Sequence, residues 1–113
     1  MTLTDRNIFD RLCIFLRETE LLQSTFSLLG WDERTGMPPE AAEYRGEQMT
    51  YLSGIIHRRR TDSQLGDWLE RLIDSPLYSK PHSIEETIIR ESKRQFDRDA
   101  FQLSQINEIA RAD

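Results

Sequence analysis

The chain has 113 residues, 37% hydrophobic and 31% charged, with a net charge of −5. That length suits one modest domain or a piece of a larger one, and four prolines and five glycines describe an ordered chain rather than a low-complexity one. The acidic balance excludes nucleic acid and anionic membrane surfaces as main partners, since both require an excess of Lys and Arg.

No apolar run approaches the roughly 20 residues that span a bilayer, and "MTLTDRNIFDR" lacks the charged-then-apolar layout of a signal peptide. Cys13, the single cysteine, excludes an internal disulfide and a cysteine-only zinc site. Set in "RLCIFL", it reads as a buried, inert thiol in a reducing, cytoplasmic setting.

Thr2 or Thr4 is positioned to cap a first helix, with Asp5 in its positive first turn. Ile8, Leu12, Phe15, Leu22, Phe26 and Leu29 then recur at spacings of three and four, broken only by Thr19, and predict a long amphipathic helix over about 4–29. Phe9, Cys13, Leu16 and Leu21 widen its apolar side beyond a coiled-coil seam. Gly30 and Gly36 bracket a predicted turn, and Pro38-Pro39 favours the start of a second helix over about 39–60. Glu40 and Glu43 meet its positive end, and "HRRR" at 57–60 meets its negative end.

A third helix is expected over about 63–74, with Leu65, Trp68, Leu69, Leu72 and Ile73 on one side, followed by the loop "DSPLYSKPHS". Ser83-Ile84-Glu85-Glu86 forms a capping box for a fourth helix over about 84–99, and a break near Ser104 leads to a fifth over 104–113. The last stretch shows no C-cap signal, so the chain reads as the front of something longer. The expected fold is all-α, a single helical region over 1–113 of four to five helices packed as antiparallel hairpins.

Catalytic motifs are absent from this reading. A helical zinc peptidase site needs two imidazoles one turn apart with a nearby carboxylate; the two histidines, His57 and His82, lack that surrounding. Glu40, Glu43 and Glu47 read as a solvated helix edge, and Asp97 with Asp99 as an exposed charged face. The least ordinary feature is the corner: Trp31 as a large apolar anchor, Asp32 and Thr35 bonding local backbone, and Met37 filling a gap before Pro38, with a surface that contacts another part of a larger protein as the alternative.

Trp31-Asp32-x-x-Thr35-x-Met37-Pro38, followed by Arg45, Glu47-Gln48, "YLSGIIH" and "TDSQLGDWLERL", resembles the start of the Taq-type family of thermostable zinc metallocarboxypeptidases. The likeness continues through "IIRESKRQFDRD" to "EIARA". It departs at Glu33-Arg34, at Gly36, and in lacking the Leu-Pro that the family carries before its last helix of this region.

The resemblance implies an N-terminal portion of a larger all-helical peptidase, with the His-Glu-x-x-His helix far downstream. It implies no catalytic or metal-binding residue and no cofactor within this chain, zinc or another divalent metal in the full-length family, and the remainder of the peptidase chain as partner. It also implies that the chain is inactive alone, its helices forming a groove wall or lid. The corner residues Trp31, Asp32, Thr35, Met37, Pro38, Arg45 and Gln48 carry over as structural positions. A freestanding helical interaction module is the competing expectation. For the 113 residues alone, the wide apolar face predicts self-association into dimers or larger species.

Overall fold

Thr4 opens the first helix: its hydroxyl accepts from the Asn7 N–H at 3.1 Å and its carbonyl accepts from the Ile8 N–H at 3.1 Å, which places the cap at Thr4. In a computed structural model, whose described residues are 3–111, four α-helices follow: α1 Asp5–Thr35, α2 Ala42–Arg60, α3 Ser63–Ile73 and α4 Ile84–Arg111. Short 3-10 turns at Pro39–Ala41 and Pro76–Tyr78 lie in the connections. The described residues contain no strand, so the fold is all-α. No helix among them is long and apolar enough to cross a membrane.

Two boundaries differ from expectation. The first helix runs past Gly30 to Thr35, and the corner is confined to Gly36–Pro38. A single glycine inside a helix costs only about 1 kcal/mol, whereas Pro38 and Pro39 in succession remove two helix donors, so the prolines set the stop. The predicted break near Ser104 is absent, and α4 continues unbroken to Arg111. No proline or glycine occurs between Ile84 and Arg111, leaving nothing to interrupt the hydrogen-bond ladder. The expected fifth helix is therefore the end of the fourth.

The contacts divide the chain into two compact units, residues 1–14 with 60–113 and Phe15–Arg59. In the first unit the core is Ile8, Phe9 and Leu12 from α1, Leu65, Leu69 and Leu72 from α3, and Ile89 from α4. Those α3 positions recur at four and three, one stripe of a short helix. Asp62 caps α3, its Oδ1 accepting from the Gln64 N–H at 2.8 Å. Gly66 lets α3 approach α4: a Cβ there would lie 2.7 Å from Phe96 Cζ. Arg71 ties the start of the chain to α3, donating from Nε to Asp5 Oδ1 at 3.2 Å and from Nη2 to the Leu3 carbonyl.

Half of the expected capping box forms at α4. The Ser83 hydroxyl accepts from the Glu86 N–H at 3.1 Å, but the Ser83 N–H is taken by the Lys80 carbonyl at 3.3 Å. The buried Glu86 carboxylate turns instead to Arg90 Nη1 at 3.0 Å. His82, just before this cap, has φ 65, a left-handed conformation that a non-glycine residue adopts at some cost.

The second unit is a helical hairpin of the later part of α1 with α2. Arg45 meets Leu29 and Asp32 at one end, and Arg59 meets Phe15 and Thr19 at the other, so the helices run antiparallel. Among its described residues only Thr19 and Ile56 are fully buried. With so thin a core, polar clasps at the two ends carry much of the hairpin's definition.

Candidate functional site

The corner residues divide into a bonded group and an outward group. Arg45, on the first turns of α2, is the hub. Its Nη1 donates to Asp32 Oδ2 at 2.7 Å and to the Leu29 carbonyl at 3.2 Å, and its Nε donates to Gln48 Oε1 at 3.0 Å. The Arg45 side chain is 19% exposed while that of Asp32 is 54% exposed. Solvent therefore weakens the ion pair, and the bond to the Leu29 carbonyl is the one that joins helix to helix out of water.

The remaining positions take no part in that hub. Thr35 bonds within α1, donating from Oγ1 to the Trp31 carbonyl at 2.8 Å. Met37 is half-buried and Pro38 is exposed, with the extended backbone that precedes the 3-10 turn. Trp31 is not the buried anchor that the sequence predicts: it is 61% exposed. The reason is the extension of α1 through the presumed turn, which keeps Trp31 on a helix face and turns it outward.

A second clasp lies at the far end of the hairpin, and sequence reasoning missed it. Arg59 Nε donates to Thr19 Oγ1 and Nη2 to the Phe15 carbonyl, each at 2.9 Å. The guanidinium sits 4.0 Å from the Phe15 ring centroid and 3.5 Å from Glu18 Oε1. Thr19, the one break in the apolar stripe, was the available signal. Arg59 was hidden in "HRRR", where compensation of a helix end explains a basic run sufficiently.

Acid-base chemistry finds little purchase here. Burial pushes the Cys13 thiol up, reinforced by Asp10 and Glu85 and opposed by Arg6. Cys13 is half-buried rather than fully buried as expected, because its position on α1 flanks the stripe of Ile8 and Leu12. The Glu85 carboxyl is held low, first by the backbone N–H at the start of α4 and then by Arg6. Both shifts favour the form that each group already has at neutral pH.

The donor set does not fit a resident metal. His57 and His82 are both exposed, and among the described residues no three His, Cys, Asp or Glu side chains converge on a common point. An open cleft of about 480 Å³ is lined by Thr61, Leu103, Ser104, Asn107, Glu108 and Arg111.

The described residues form an all-helical region in which Arg45 and Arg59 bond helix to helix. Comparison with known proteins identifies its family. Residues 12–111 match the family described as carboxypeptidase Taq (M32) metallopeptidase, a span that includes α1 from Leu12 onward, the corner, and α2, α3 and α4. Thermostable carboxypeptidase 1 of Thermus thermophilus is 36% identical over 96 residues, which cover 85% of this chain and 19% of that relative. The chain belongs to the carboxypeptidase Taq family of metallopeptidases, and it spans about a fifth of the length of the curated relative it matches.

Proposed function

We propose that the chain is a helical N-terminal portion of a metal-dependent carboxypeptidase that removes C-terminal residues from peptides. In that protein it would serve as non-catalytic wall or lid beside the active-site groove. The observation that supports this most is the Arg45 hub: three of the seven corner residues that carry the family likeness, Asp32, Arg45 and Gln48, are spent on fixing one helix against the next. A family motif occupied in this way acts on geometry rather than on substrate.

In the complete protein, zinc or another divalent metal would supply the Lewis acid that activates water for peptide hydrolysis, held by residues outside this chain. The remainder of the peptidase chain is its partner, and the cytoplasm its setting, in keeping with a single unpaired cysteine. On its own the 113-residue chain is inactive. It also self-associates into dimers or larger species, since Phe101, Ile106 and Ile109 lie exposed along the end of α4.

Two preparations test the reading: the product of the complete native gene and the 113-residue chain, each supplied with zinc and a blocked dipeptide. Chelator-sensitive release of the C-terminal residue by the complete product alone is the expected result. Release by the 113 residues alone would overturn the proposal. A native product no longer than 113 residues would favour the interaction module instead. Sedimentation at micromolar concentration checks self-association, which a monomer at all concentrations would refute.

A further inference from the structure

From Leu21 to Trp31 the chain carries no charged residue, although 31% of the whole chain is charged. One side of this segment faces α2: Arg45 bonds the Leu29 carbonyl, and Met49 Cε lies 3.5 Å from where a Cβ on Gly30 would stand. The other side carries Leu21, Ser24, Thr25, Leu28 and Trp31, which fall on one stripe at about 100° per residue. Leu21, Leu28 and Trp31 are 57%, 66% and 61% exposed.

A solvated helix face normally bears charge, and a helix apolar on both sides is suited to burial on both sides. The hydroxyl at the centre of the stripe is already satisfied, since Thr25 Oγ1 donates to the Leu21 carbonyl at 2.9 Å. Covering Thr25 therefore strands no donor, which leaves the Ser24 hydroxyl as the one polar group on the stripe that the covering helix must bond. The face ends where charge resumes, at Glu20 and Asp32, giving a strip of roughly 15 Å along the helix axis.

We propose that this strip is the seat of a helix from the remainder of the longer peptidase polypeptide, an inference that rests on the reading given under Proposed function. The chain covers only 19% of its Thermus relative, so a protein of that length has ample chain to place there. The strip is one helix wide and uncharged, and fits an apolar helix packed by ridges into grooves. Three large side chains fall well short of the roughly 800 Å² per partner that a stable dimer interface needs. A segment of the same polypeptide needs less area, because its association costs little translational entropy.

Hydroxyl-radical footprinting, read by mass spectrometry at Leu21, Leu28 and Trp31, tests this on the complete native gene product. The reference is the 113-residue chain at a dilution where it sediments as a monomer. Oxidation slowed roughly tenfold in the complete product, as for side chains moved from solvent into a packed interface, and independent of concentration, is the expected result. In parallel, Leu28→Glu leaves the melting temperature of the 113-residue chain unchanged and lowers that of the complete product. Equal oxidation in a longer native product overturns the proposal and leaves the peptidase reading standing. Protection that disappears on dilution overturns it in favour of a second copy. A native product of 113 residues overturns the peptidase reading and this inference with it.

Discussion

Arg59 reaches across 40 residues of sequence to donate from Nε to Thr19 Oγ1 at 2.9 Å. Thr19 in turn donates to the Phe15 carbonyl at 3.0 Å, the same oxygen that Arg59 Nη2 approaches. The two side chains and one carbonyl thus close the hairpin where it has almost no apolar core. Arg59→Ala is expected to cost about 2–3 kcal/mol through two charge-assisted bonds and a cation-π contact. Thr19→Val should cost about 1–2 kcal/mol, and the pair should couple by about 1 kcal/mol in a double-mutant cycle followed by urea unfolding. Strictly additive losses would show that the clasp does not act as a unit.

At the other end of the hairpin the order of effects is the informative quantity. Asp32→Asn weakens an ion pair whose carboxylate is more than half exposed, so its cost should stay below about 0.5 kcal/mol. Arg45→Ala also removes the bonds to the Leu29 carbonyl and Gln48, and should cost about 1–2 kcal/mol. Denaturation midpoints for both variants decide the matter, and equal losses would contradict this account.

Two glycines inside helices should respond oppositely to alanine. Nothing lies within 4 Å of a Cβ placed on Gly46, so Gly46→Ala is expected to stabilise by about 0.5–1 kcal/mol through helix propensity. A Cβ on Gly66 would strike the Phe96 ring at 2.7 Å, so Gly66→Ala should destabilise by about 1–3 kcal/mol despite the same propensity gain. Phe96→Leu in the Gly66→Ala background should recover part of that loss, and thermal melts of the three variants test the contrast.

Trp31→Ala should change the stability of the 113-residue chain by less than about 0.5 kcal/mol, because the side chain is exposed. A loss of about 3–5 kcal/mol, the cost for a buried aromatic, would place the ring in a core that the structure does not show.

Burial, with Asp10 and Glu85 nearby, raises the Cys13 thiol, so its reaction with iodoacetamide at neutral pH should be slower than that of a free thiol. Because the folded state holds this proton more tightly than the unfolded chain, the associated stability is complete below the ordinary thiol range. It is lost as pH rises through the elevated folded value. Alkylation rates against pH, with and without denaturant, report both effects, and faster labelling of the folded chain would reverse the sign.

Much of the fold was legible because it depends on local chemistry. The cap at Thr2 or Thr4, the Ser83 cap, the Leu65, Leu69 and Leu72 stripe and the proline pair each declare themselves within one or two helical turns. The helix limits at Thr35 and Arg111 were less legible, since one glycine or serine inside a helix is a weak interruption that neighbouring turns override. The corner residues were identifiable as a group through their family likeness. Their division into the Asp32, Arg45 and Gln48 hub and the outward Trp31 required the actual rotation of α1.

The sequence by itself determined an all-helical chain, its caps and its membership of the carboxypeptidase Taq family, because periodicity, capping and family motifs are properties of residues near one another. Only the tertiary structure decided that Arg59 closes on Thr19 and Phe15, that Gly66 admits Phe96, and that Leu21, Leu28 and Trp31 are exposed. Those facts depend on which helix faces meet, and that choice is set by packing between segments distant in sequence.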